Sequence, residues 1–371
     1  RDLHSLRRRQ RQMCIRDSFY GVLKEESEVY VKLADIPIKV EEAALEECNG
    51  KLYLVGGTIA GGATNKTFEY DPATDTWTEK SPAPIAEGFE SAVLRNVSGK
   101  LYLIGGLLGD GATVINTVYE YDPVTDTWTQ KTSMPTARED MASAVVNGKI
   151  YVIGGWDADQ VRSEVEVYDP ATDTWSSKNP MPNPRCLGDF GASYNGKIYL
   201  VSANPNMSSY PNFEATPLVE VYDPATDTWS TLANITFPVA YKDVEIVDGK
   251  LFVVGGSNYA RDNTTKLVQV YDVANDTWYL TLNYPRMAKS IALAQYNGEI
   301  YCAGGYLYGF RDRTNEFYKI NVSKAHLFEN LTELNSYLKW SEKNGKWAWS
   351  GPYIYLEDTY PSAPGNCLVS N

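Results

Sequence analysis

"VEVYDPATDTWSSK", residues 165–178, reads as strand, turn, strand. "VEVYD", with its β-branched and aromatic residues, suits a strand. Pro170 sets φ for the first turn position, and the Asp and Thr side chains can bond to nearby backbone N–H groups. Trp175 then opens a second extended run. Near copies stand at "FEYDPATDTWTEK" (68–80), "YEYDPVTDTWTQK" (119–131), "VEVYDPATDTWSTL" (219–232) and "VQVYDVANDTWYLTL" (268–282). Hard oxygens in such turns would suit calcium, but each turn offers only two carboxylates, and a backbone-capping role is the better reading.

A second motif keeps step with the first. "KLYLVGG" ends at Gly57, "KLYLIGG" at Gly106, "KIYVIGG" at Gly155, "KLFVVGG" at Gly256 and "EIYCAGG" at Gly305, with "KIYLVSA" ending at Ala203 in the remaining place. Each unit reads as four short strands. Strand a is small and apolar ("MASAVV", 141–146), an Asn-Gly turn suits a tight hairpin, strand b is "IYVIGG", strand c is "VEVYD" and strand d is "TWSSK". Four antiparallel strands repeated six times predict a β-propeller. Blades splay outward from an axis, so inner strands take small residues and outer strands take Trp and Tyr as wedges. On that reading Trp175→Ala costs about 3–5 kcal/mol.

The Gly-Gly after strand b, the Tyr-Asp closing strand c and the Trp of strand d together resemble the Kelch repeat family, over about residues 28–322. The resemblance implies an all-β, six-bladed propeller that binds partners on one loop face. The family includes a copper radical oxidase and a sialic acid epimerase. The oxidase needs histidine ligands, and the propeller has none, because His4 and His326 are the two histidines of the chain. A His-built metal centre or Ser-His-Asp system is therefore disfavoured, and no catalytic, metal or cofactor site is assigned. An epimerase-like, sugar-processing enzyme using pore carboxylates and Arg is the alternative function.

The last unit has strand c at "EFYKINV" (316–322) but no turn and strand d after it. "EVYVKLADIPI" (28–38) aligns with "DTWTEKSPAPI" (75–85), placing Tyr30 where Trp77 stands. An N-terminal strand d that pairs with the C-terminal strand c would close the ring. Seven native blades are the alternative, because "YGVLKEESEVYVKL" (20–33) also reads as a degenerate c–turn–d segment. Residues 1–18, Arg-rich in a chain of net charge −13, resemble a translated sequencing-library adapter and are set apart as disordered. The propeller is assigned to 19–322. Residues 323–371 form an extension that packs on it or belongs to a lost neighbour, with Leu327, Leu331, Leu334 and Leu338 at helical spacing.

The acidic balance disfavours nucleic acid, and no apolar run reaches the ~18 residues of a membrane helix. Five cysteines form no CxxC pair. Eight N-x-[ST] sequences, against roughly three or four by chance, lean toward a secreted or surface protein.

In an a–b–c–d meander the b–c and d–a loops share a face, and here they differ in every repeat. Variable loops on a repeated scaffold are the usual place for recognition. The sequence thus reads as a non-catalytic interaction and scaffold module for a protein or glycan. Its candidate ligand-binding residues are Arg138, Asp140, Trp156, Arg185, Asp189, Tyr241, Tyr259, Arg261, Tyr306 and Arg311. The fourth unit, lacking Gly-Gly and carrying the longest b–c loop (204–217), is read as a binding insertion or as drift.

Overall fold

The strand–turn–strand of the DPATDTW motif forms the outer half of a four-stranded sheet. Ala142–Val146, Lys149–Ile153, Val165–Asp169 and Thr174–Lys178 pair antiparallel in chain order, with Ile150 opposite Tyr168 and Tyr168 opposite Trp175. Asn147 and Gly148 both take positive φ at the a–b turn, as an Asn-Gly hairpin requires. The protein is described by a computed structural model covering residues 29–188, 191–205, 215–258, 264–307 and 312–334. Among these residues six sheets share this four-stranded order. Their innermost strands, Ala44–Cys48, Val93–Val97, Ala142–Val146, Gly191–Tyr194, Val244–Val247 and Ala292–Tyr296, each contact the next, and the last contacts the first. The fold is an all-β propeller, and residues 27–329 make up one compact unit.

The closure follows the sequence alignment. Tyr30–Lys32 pairs with Phe317–Ile320, and Tyr30 lies opposite Ile320 as Trp77 lies opposite Tyr70. The Tyr30 hydroxyl donates to the Leu282 carbonyl. The Trp indoles make the same reach into the neighbouring sheet: Trp77 to Ala34 (3.0 Å), Trp128 to Ser81 (3.0 Å), Trp175 to Thr132 (2.9 Å), Trp229 to Asn179 (3.2 Å) and Trp278 to Ala233 (2.9 Å).

Both carboxylates of the turn build structure. In "DPATDT" of residues 169–174, Asp169 caps the Ala171 N–H and pairs with Lys149. Asp173 accepts the Tyr168 hydroxyl (2.6 Å) and the Thr132 N–H (2.9 Å) of the neighbouring sheet. The same two bonds recur at Asp75, Asp126, Asp227 and Asp276. The repeated turn is thus a blade-to-blade latch.

The wedge assignment shifts inward by one strand. Tyr70, Tyr121, Tyr168, Tyr222 and Tyr271 are at most 1% exposed, whereas Trp175 is only partly buried and stacks on Tyr168 at 5.1 Å. Trp278 alone of the five strand-d tryptophans is buried. The expected cost of Trp175→Ala therefore falls to about 2 kcal/mol, since the large cavity value belongs to fully buried rings.

Why Gly-Gly ends strand b is visible at Gly154 and Gly155, with φ of 65° and 97°. The Gly155 N–H donates to the Arg185 carbonyl of the next sheet (3.1 Å), and a Cβ there would stand 2.5 Å from the Glu139 carbonyl oxygen. Equivalent bonds link every neighbouring pair of sheets: Gly57 to Phe89, Gly106 to Arg138, Ala203 to Val239, Gly256 to Ala288 and Gly305 to Val40. Ser202 and Ala203 hold the same left-handed backbone without glycine, at φ of 53° and 90°. The Ser202 hydroxyl donates to the Thr216 carbonyl and accepts the Val239 N–H, tying the conformation down. The fourth repeat has changed residues here while keeping its backbone path.

Past Ile320 the chain turns back to the fifth sheet. Phe328, which is buried, exchanges both backbone hydrogen bonds with Leu280. Residues 331–334 form a helical turn. The assignments made for 1–18, Leu338 and the remainder of the C-terminal extension lie outside the described residues.

Candidate functional site

On the predicted loop face the d–a and b–c segments are stitched together. Glu139 and Trp156 exchange backbone bonds at 2.9 Å each, and the pairs Glu41–Thr58, Ala240–Ser257 and Lys289–Tyr306 repeat the arrangement. The residue that follows has positive φ in all six repeats: Glu42, Ser91, Asp140, Tyr241 and Ser290 between 50° and 55°, and the buried Leu187 at 77°. Their amides run around the pore. Ser290 N–H donates to Tyr241, Glu42 to Ser290, Ser91 to Glu42 and Asp140 to Ser91, over 2.7–3.3 Å. One backbone geometry thus presents Glu, Ser, Asp, Tyr and Ser from five of the six repeats, and Tyr241 N–H donates to Leu187 of the remaining one (3.0 Å). The left-handed conformation costs each non-glycine residue roughly 1 kcal/mol or more, and the amide ring offsets it.

Glu42, Ser91, Asp140, Tyr241 and Ser290 line a recess open to solvent, which also reaches Arg95, Lys242 and Asp243. Carboxylates crowd its rim. Burial first, then repulsion from Glu42, Asp140 and Glu41, raises Glu90 to about 7, against the opposing pull of Arg313. Glu139 and Asp140 are pushed up as a pair. Burial dominates both; Asp140, Glu42 and Glu90 add to it for Glu139, and Glu42 adds to it for Asp140, where the Gly188 N–H, Ser91 and Lys289 oppose. Cations stand among them. Lys289 sits 3.9 Å from the Tyr241 ring centroid and 5.7 Å from that of Tyr306, and Arg313 pairs with Glu41 at 3.0 Å. Deeper down, Arg95 spans three sheets: it pairs with Glu46 (3.2 Å) and donates to the Leu94 and Ser143 carbonyls.

The ten sequence candidates divide. Asp140 and Tyr241 line the recess. Trp156 is half-buried beside it, packing with Val161 and Tyr241 over Cys186, Leu187, Ala215 and Ala240, and Tyr306 faces Lys289. Asp189, Tyr259, Arg261 and Arg311 lie outside the described residues.

Arg138 and Arg185 need a correction. Both are 0% exposed, so neither reaches a ligand in this conformation. Arg138 pairs with Glu166 (2.7 Å) and donates to the Gly154 carbonyl (2.7 Å); Arg185 pairs with Glu220 (2.6 Å). In these two repeats strand c is buried on both faces between blades, so its Glu requires a partner. The d–a arginine of the same repeat supplies it. The signal was available as Arg followed by "VEVYD" within one repeat at 138/166 and 185/220. Arg95 and Glu46 escaped notice because inner strands read as small and apolar.

Comparison with known proteins agrees with the architecture. Residues 42–247 match the family described as the KLHDC2/KLHL20/DRC7 Kelch-repeats domain, and residues 238–280 match the Kelch motif. Kelch-like protein 35 of Mus musculus is 37% identical over 62 residues, 16% of this chain and 11% of that protein. The influenza virus NS1A-binding protein homolog of Mus musculus is 40% identical over 67 residues, 18% of this chain and 10% of that protein. The matches thus span about a tenth of each relative's length. Among solved structures, that titled "Structure of YjhT" superposes with a TM-score of 0.68 at 18% identity, covering 80% of this chain and 99% of that one.

Proposed function

The chain belongs to the Kelch-repeat family, and from that premise we propose that it is a non-catalytic interaction module, binding a protein or glycan ligand at the pore mouth of its loop face. Kelch repeats generally mediate protein interactions, and a protein segment is the ligand class we favour. One observation carries the reading. A series of left-handed residues, linked by amide bonds over most of its circuit, displays side chains that change from repeat to repeat: Glu42, Ser91, Asp140, Leu187, Tyr241 and Ser290. Uniform backbone with varied side chains is how recognition surfaces are built on repeat scaffolds. Ligands are selected from a random peptide library and a glycan array, then tested against Tyr241→Ala with Asp140→Asn and against a turn variant, Asp169→Ala. Binding lost only in the pore-mouth variant supports the proposal. Binding lost only in the turn variant refutes it.

The sugar-processing alternative is favoured by one specific feature, the Glu90 carboxyl held near 7 beside other carboxylates, since a poised acid–base group is what such chemistry needs. Solvent-deuterium incorporation into free sugars, followed by proton NMR for wild type and Glu90→Gln, tests it. Incorporation that the variant abolishes would establish it, and its absence across the panel would remove it.

A further inference from the structure

We propose that the loop face docks a protein segment carrying an apolar anchor beside a Lys or Arg side chain, the anchor seated on Trp156, Val161 and Tyr241 and the cation in the pore recess. This rests on the interaction-module reading and gives its ligand a chemistry. The apolar part is a surface that the described residues leave half-covered: Trp156, Val161 and Tyr241 pack outward from a buried floor of Cys186, Leu187, Ala215 and Ala240. Tyr241 belongs to both that patch and the recess, so the two are contiguous.

Charge complementarity selects the partner. Beside the patch lie Glu139 and Asp140, with Glu42 and Glu90 around the rim and Asp159 exposed on the adjoining loop. Facing them are Lys289, held against Tyr241 and Tyr306, Lys242 in the wall, and Arg313, paired with Glu41. Carboxylates therefore outnumber the cations on the rim, in a chain of net charge −13. Burial first, then crowding by neighbouring carboxylates, raises the proton affinity of Glu90, Glu139 and Asp140. An arriving cation relieves that repulsion and displaces protons, so binding by this route strengthens as pH rises. An acidic or uncharged ligand gains nothing from the rim.

The test uses the full chain and an unbiased phage-displayed dodecapeptide library. Selected peptides are synthesised with a fluorescein label and measured by anisotropy. The inference expects enrichment of Lys or Arg next to Leu, Phe or Trp. It also expects affinity that falls about tenfold or more in Trp156→Ala and in Glu42→Gln with Asp140→Asn. Affinity falls as salt rises from about 50 to about 300 mM, and between about pH 8 and pH 6. Each variant is first shown to melt as the wild type does, and Asp159→Asn, exposed and outside the core, serves where Trp156→Ala does not. Peptides that lose binding with Tyr241→Ala yet are acidic or neutral, with no salt dependence, overturn this inference and leave the module reading standing. Peptides indifferent to Tyr241, or no selected peptide at all, overturn both.

Discussion

Arg138→Ala separates a buried strut from a ligand contact. The side chain is 0% exposed, and Glu166 is 3% exposed. Removing the guanidinium deletes the 2.7 Å contact to Glu166 and the bonds to the carbonyls of Gly154 and Glu164. The Thr136 hydroxyl remains on Glu166 at 2.9 Å. One hydrogen bond does not compensate a carboxylate in that setting, and breaking one side of a buried pair costs about 3–5 kcal/mol. Arg138→Met with Glu166→Leu removes both charges and keeps most of the volume, which is expected to leave stability within about 1 kcal/mol of wild type. The coupling energy is then roughly 3 kcal/mol or more, large for a residue pair. Equilibrium urea unfolding followed by tryptophan fluorescence measures Arg138→Ala and the four corners of the cycle (wild type, Arg138→Met, Glu166→Leu and the double variant), and ligand binding is measured on the double variant. A loss below about 1 kcal/mol in Arg138→Ala, or additivity around the cycle, would refute the strut argument. Full stability of the double variant with loss of ligand would restore the arginine to the binding site.

Three other outcomes are expected. Gly155→Ala places a Cβ 2.5 Å from the Glu139 carbonyl oxygen at φ 97°, whereas Gly61→Ala at φ 99° meets nothing within 4 Å; thermal unfolding should show a loss on the order of 3–4 kcal/mol for the first and about 1 kcal/mol for the second, and equal losses would discredit the packing account. Glu90 takes up a proton more readily in the fold, at about 7 against the ordinary 4.5, so its contribution to stability is complete below about pH 4.5 and lost as pH rises through about 7. Glu90→Gln should therefore match wild type near pH 5 and exceed it by about 1–2 kcal/mol near pH 8, a partial share of the full shift because water still reaches the group; a pH-independent difference would show that the crowding is not felt. Asp173→Asn weakens the acceptor for both the Tyr168 hydroxyl and the Thr132 N–H and should cost about 1–2 kcal/mol, with no change in ligand binding.

How far the sequence could be read depended on the range of each interaction. The turn, the Asn-Gly hairpin and the strand alternation are local, so the repeat displayed them directly, and copying at a fixed period revealed even the clasp at Tyr30. The latch of Asp173 to the neighbouring sheet differs from the sequence reading only in reach: Asp and Thr read as caps of their own turn, and one carboxylate bonds 41 residues back instead. The arginines were harder. Arg138 stands in a loop by sequence, and a charged loop residue is ordinarily solvated. Its Glu partner lies 28 residues on, in a strand whose alternation suggests one wet face. In the third and fourth blades strand c has no wet face, because sheets stack on both sides, so Glu166 and Glu220 are enclosed and draw the arginines inward. The same stacking decides what remains for function. Side chains consumed between blades recur with the strands, whereas Glu42, Asp140 and Tyr241 line the recess at the ring of left-handed residues. Residues that vary while their backbone does not are therefore the ones left available to recognise something else.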